Sequence, residues 1–96
     1  MIVAVLSIEM QAPAAQSLKD KRQVVRSLTS RLRREYNVAV AEVDHLDSWQ
    51  LIGLGVVGVA GDLPYVQGLL QRVVDYIERQ LLCQPIALHI ELSVDF

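Results

Sequence analysis

The spacing of apolar residues along this 96-residue chain switches from a period of two to a period near 3.6 and back, twice over. A strand turns successive side chains to opposite faces, whereas a helix returns to one face every three to four residues. Few folds satisfy such an order. Residues 2–10 read as a strand, with Ile2, Ala4, Leu6, Ile8 and Met10 on one face and Val3, Val5, Ser7 and Glu9 on the other. Residues 18–36 contain neither glycine nor proline, and Leu18, Val25, Leu28, Leu32 and Tyr36 fall on one helical stripe with Val24 at its edge. Ser17 stands where its hydroxyl can cap that helix. Residues 37–44 and 51–60 read as two strands joined by a polar turn, and hence as a hairpin. Gly53, Gly55 and Gly58 predict a bulge or a close backbone approach in the second of them. Asp62 can cap a second helix, with Pro64 in its first turn, where a missing N–H does no harm. That helix carries Val66, Leu69, Leu70, Val73, Val74, Ile77 and Leu81 at helical spacing, and Gln84-Pro85 ends it. From Ile86 to Phe96 the alternation is clean, as in a half-buried strand.

The order is β-α-β-β-α-β over a single domain, residues 1–96. Two crossover helices on one face of a four-stranded antiparallel sheet define the α+β, ferredoxin-like sandwich. The first and third strands are expected in the centre, the second and fourth at the edges. One sheet face is then left bare. Its expected occupants are Val3, Val5, Ala39, Ala41, Val43, Gly55, Val57 and Val59, with His89 and Glu91 to one side. Small apolar side chains facing water predict a homodimer joined through this open face.

Charge is as unevenly distributed as hydropathy. Residues 17–36 hold seven of the nine basic residues against Asp20 and Glu35, a local charge of +5, while the remainder carries −7, for a total of −2. Arg31, Arg33 and Arg34 suit the end of a helix. Lys19, Lys21 and Arg22 lie in its first turns, where a cation is unfavourable by ~0.3–1 kcal/mol. Something must offset that. Lys19, Lys21, Arg22, Arg26 and Arg33 are therefore the candidate anion- or nucleic-acid-binding residues. The rival explanation is ion pairing with acids of the same or another subunit, such as Glu42, Asp44 and Asp47.

Other chemistry finds little support. The stretch QAPAAQSL before the first helix has no glycine, and Gly53-Leu54-Gly55 lies inside a strand, so neither phosphate-cradling loop motif is present. The five aromatic residues avoid the middle of the first and third strands, which argues against base stacking on the sheet. Six serines, two histidines and one cysteine show no nucleophile–base arrangement, and no catalytic residue or cofactor is assigned. Cys83 alone builds neither a disulfide nor a cysteine zinc site, and reads as apolar filler. The turn Glu42 to Gln50 is the densest polar cluster, with Glu42, Asp44, Asp47, Trp49 and Gln50 as candidate partner contacts. Its carboxylates and His45 admit a small-ligand or metal alternative, although turns favour such residues for backbone reasons, and no metal ligands are assigned. Hydrophobic residues make up 52% of the chain and its mean hydropathy is +0.31. Yet no apolar run is long enough to cross a bilayer, and MIVAVLSIEM lacks a basic leader and a cleavage site. A cytoplasmic protein without membrane contact is expected.

The run SLKDKR, followed by VVRSL, RLR, NVAVAEVD and then DSWQ before a Leu-Gly-Val strand, resembles the small bacterial YlxP-like family, a domain family of unknown function. The likeness covers almost the whole chain and is densest from Ser17 to Val59. The matching positions are Lys19, Lys21, Arg22, Arg31, Glu42, Asp44, Asp47, Trp49 and Gln50, while Gly61-Asp62 departs mildly from a Ser/Asn-Asp pattern. The resemblance implies a ferredoxin-like sandwich and a gene neighbourhood among translation factors and ribosome-maturation proteins. It implies no activity. The expected function is a non-enzymatic module that meets RNA or a ribosomal particle through its basic helix. The alternative is a structural or protein-interaction dimer whose basic helix is consumed in ion pairs.

Overall fold

A computed structural model of the chain describes residues 1–80 and 82–93. The elements follow the expected order: β1 (Ile2–Gln11), α1 (Leu18–Glu35), β2 (Ala39–Asp44), β3 (Leu51–Ala60), α2 (Leu63–Glu78) and β4 (Gln84–Ser93). The strands form one antiparallel sheet in the order β2-β3-β1-β4, with β1 and β3 central as expected. The fold is α+β and ferredoxin-like. Four positions expected in regular elements, Leu81 in the second helix and Val94, Asp95 and Phe96 in the last strand, lie outside the described residues. The second helix ends three residues before Leu81, at Glu78.

Period two decides what the sheet buries. Ile2, Ala4, Leu6, Ile8 and Met10 point to the helix layer and are all buried, as are Ile52, Leu54 and Val56 opposite them. Val25, Leu28 and Leu32 of α1 and Val66, Leu70, Val73 and Ile77 of α2 close the core from above. Each large side chain so buried contributes about 1.5–3 kcal/mol. Tyr36 and Tyr76 meet edge to face at 5.9 Å and join the ends of the two helices. Cys83 is buried as expected, and burial pushes its thiol above the ordinary value.

Both helices begin as their cap residues dictate. Ser17 Oγ accepts from the Asp20 N–H at 3.0 Å, and Asp62 Oδ2 accepts from the Tyr65 N–H at 2.9 Å. Asp20 in turn accepts the Gln16 N–H at 3.0 Å, so the mouth of α1 already holds a carboxylate of its own.

The glycines of β3 answer to a bulge. Between Glu42 and Asp44 the β2 register slips by one residue, and both Glu42–Leu54 and Asp44–Gly53 remain paired. A Cβ at Gly53 would lie 2.6 Å from Asp44 Cβ, whereas one at Gly61 would meet nothing within 4 Å. Gly53→Ala should therefore lower unfolding free energy by about 1–3 kcal/mol. Gly61→Ala should leave it unchanged or raise it by up to about 1 kcal/mol. Urea titration of the two variants side by side checks the contrast.

Candidate functional site

Lys21 is the largest side chain that the fold buries completely. Its place on α1 is set by helical spacing four residues before Val25, which puts it at the edge of the apolar stripe. There it reaches under the β2–β3 hairpin. Nζ donates to the His45 carbonyl at 2.8 Å and to the Leu51 carbonyl at 3.3 Å, and lies 2.8 Å from Glu42 Oε2. Glu42 Oε2 is itself buried and receives no aligned hydrogen bond among the described residues, so the Glu42 contact is Coulombic and the two carbonyls take the directed bonds. An ammonium leaves water only where charge and lone pairs replace its hydration, and this pocket supplies both.

The expectation for Lys21 is thereby corrected. It is not available to an external anion, because it is 0% exposed and its donors are taken up inside the chain. The mouth of α1 offers less than expected too, since Ser17 Oγ takes the Asp20 N–H and the Asp20 carboxylate, bound to the Gln16 N–H, already places a negative charge there. The acidic turn does not act as one cluster. Glu42 pairs in register with buried Leu54 and faces the helices, but the bulge inserts Val43 and turns Asp44 onto the open side opposite Gly53. Two residues apart in a regular strand, Glu42 and Asp44 would share a face; the extra residue separates them.

The hairpin is built around His45. Its φ is +58°, the left-handed region, which costs a residue with a Cβ about 1–2 kcal/mol. Asp44 Oδ1 accepts the His45 N–H at 2.8 Å, and the His45 carbonyl accepts from both Lys21 Nζ and the Ser48 N–H. Ser48 Oγ closes the turn by accepting the Leu51 N–H at 3.0 Å. Trp49 does not pack beneath the turn; it is 45% exposed, beside exposed Leu46, Asp47 and Gln50.

The other cations of α1 separate into two kinds. Arg33 Nη2 donates to the Val40 carbonyl at 2.6 Å and pins β2, so it is partly committed to the fold. Lys19, Arg22, Arg26, Arg31 and Arg34 are exposed and form no ion pair among the described residues. Lys19, Arg22 and Arg26 follow one another at i, i+3 and i+7 along one flank.

A second polar region went unnoticed in the sequence because four segments contribute to it. At the hairpin end of the open face lies a concavity of about 320 Å³, lined by Ser7, Glu9, Asp44, His45 and His89 among others. His45 Nε2 stands 3.4 Å from Glu9 Oε1, and His89 Nε2 stands 2.9 Å from Glu91 Oε1. Only the strand register brings these together; the outward alternation of Glu9 and His89 is the signal that was present in the sequence. Among the described residues, no group of three or more His, Cys, Asp or Glu is placed to hold a metal ion. No helix among them is long and apolar enough to cross a membrane.

A two-layer ferredoxin-like domain with a buried lysine and an exposed basic flank is thus the class of protein that fold and site define. The chain belongs to the family described as "Protein of unknown function (DUF503)", whose model matches residues 3–90. It is 33% identical over 64 residues to "Uncharacterized protein YlxP" of Bacillus subtilis (strain 168), covering 67% of this chain and 70% of that one. The solved structure of "De novo designed protein Foldit4" matches it with a TM-score of 0.53 at 13% identity, over 98% of this chain and 99% of that one. A likeness at so low an identity concerns the fold alone.

Lys21→Met should cost about 3–5 kcal/mol in urea unfolding, since it leaves Glu42 and two carbonyls without their cation. Adding Glu42→Leu should recover part of that loss, and Arg22→Ala, one residue along, should stay within about 0.5 kcal/mol of the parent.

Proposed function

We propose that the protein is a non-enzymatic binding module that docks on RNA, in a ribosomal or translational assembly, through the outward flank of α1. One observation carries this reading: five cations of a single helix remain exposed and unpaired among the described residues, on a chain whose net charge is −2. A helix that needed its cations only for stability would not carry Lys19 and Arg22 in its first turns. Phosphates spaced along a backbone are suited to such a row of point charges, and they require neither a glycine loop nor sheet aromatics. The neighbourhood among translation genes that the family resemblance implies agrees with it.

The rival reading, a protein-interaction domain with an ion-paired basic helix, draws its support from the Lys21–Glu42 contact. That contact accounts for one cation and leaves the flank unexplained.

Titration of the protein with single-stranded RNA across a salt series separates the two. Contacts from Lys19, Arg22 and Arg26 predict that log K falls with log[salt] at a slope of about −2 to −2.7. Arg22→Glu with Arg26→Glu should abolish most binding, while Arg34→Glu should change it little. Absence of binding at about 50 mM salt would reject the RNA reading.

A further inference from the structure

The two edges of the sheet are guarded unequally. On β2 the Val40 carbonyl is held by Arg33, and the bulge at Glu42/Asp44 distorts the strand. On β4 the irregularity lies at the start, where the pairing to β1 shifts between Glu9 and Met10 beside Pro85. From Ala87 to Ser93 the strand pairs regularly with β1 on one side and carries no lysine, arginine or proline. A regular, unguarded edge is a template for another strand.

The same strand is under-covered. Leu88, Ile90 and Leu92 pair in register with Ile8, Leu6 and Ala4, and so face the helix layer. Their partners on β1 are at most 2% exposed, yet these three are 45%, 48% and 38% exposed. The helix layer stops short of β4: a cleft of about 210 Å³ runs between Leu70 of α2 and the side chains of Ile90 and Leu92.

We propose that two copies of this chain join through β4, antiparallel and edge to edge, about a two-fold axis at Ile90. The occupant follows from charge as well as from shape. With Ile90 on the axis, His89 lies opposite the partner's Glu91 and Glu91 opposite the partner's His89, so each carboxylate meets a second imidazole. On the helix side Ile90 meets the partner's Ile90, and Leu92 meets the partner's Leu88, which extends the apolar layer across the exposed cleft. Other registers fail. An axis at Glu91 sets two carboxylates face to face, and an axis at His89 or at Leu88 leaves Glu91 without an imidazole opposite. The result joins two four-stranded sheets into one of eight, with both basic helices on the same side.

Sedimentation equilibrium of the full chain tests this. The expected mass is about 21 kDa, twice the 10.7 kDa of one chain, at concentrations near 100 µM. Ile90→Lys should raise the dimer dissociation constant by about 100-fold or more, and Val57→Lys on the open face should not change it. Glu91→Lys should weaken the dimer about tenfold, and adding His89→Glu should restore it, because opposite charges again face each other. A monomer at the highest concentration overturns the proposal. So does a dimer that Val57→Lys breaks and Ile90→Lys does not, which would place the interface on the open face. Amide exchange in the parent protein guards against a misfolded variant: protection of Ala87 to Ser93 should rise with concentration, and constant protection overturns the proposal as well.

Discussion

One buried ammonium ties the two halves of the N-terminal region together. Among the described residues Lys21 is the one charged group of α1 that is fully buried, and it binds backbone of the hairpin. A hydrophobic contact tolerates sliding; two carbonyls and a carboxylate charge converging on one nitrogen do not. The ammonium therefore specifies the height of α1 over β2 and the conformation of the β2–β3 turn at once. It also helps hold His45 at a positive φ that its side chain disfavours. Whether such a group adds net stability is a separate matter, since desolvation offsets much of the attraction. Its clear effect is to allow one arrangement and penalise its neighbours.

That constraint divides the basic residues by role. A run of cations on one helix looks uniform, but the helix turns its residues by about 100° each. Lys21 goes inward, Arg33 reaches sideways to Val40, and Lys19, Arg22 and Arg26 are left along the outer flank. Inward-facing and outward-facing cations thus share one helix. The acidic turn is divided likewise, with Glu42 given to Lys21 and Asp44 to the open side.

The sheet carries a second asymmetry. Alternation along β4 is as regular as along β1, and both strands have apolar residues facing the helices. The 16-residue α2 lies over β1 and β3, the 18-residue α1 lies toward β2, and only the margin of α2 reaches β4. A layer of two helices is narrower than four strands, and the shortfall falls on one edge. That edge is also the one without an arginine or a mid-strand bulge. Exposed apolar surface and unpaired backbone therefore coincide on one strand, while the open face offers apolar surface alone.

The element order, the central strands, both helix caps and the buried faces of β1, β2 and β3 were legible in the sequence, whereas β4, expected to be half-buried, is exposed on both faces. Each depends on local periodicity or on a residue's own hydrogen-bonding groups, which neighbours in the chain decide. The β-bulge was signalled at Gly53, but its consequence was not: one inserted residue reverses the face of everything beyond it, and so separates Asp44 from Glu42. The fate of Lys21 was likewise invisible, because a lysine at the edge of an apolar stripe snorkels to water unless acceptors await it, and those come from residues 24 and 30 positions away. The sequence by itself determined which surfaces are apolar and which helix is basic. Only the tertiary structure decided which cation is spent inside, which carboxylate receives it and which strand is left half covered, since these depend on distances between segments that no local pattern encodes.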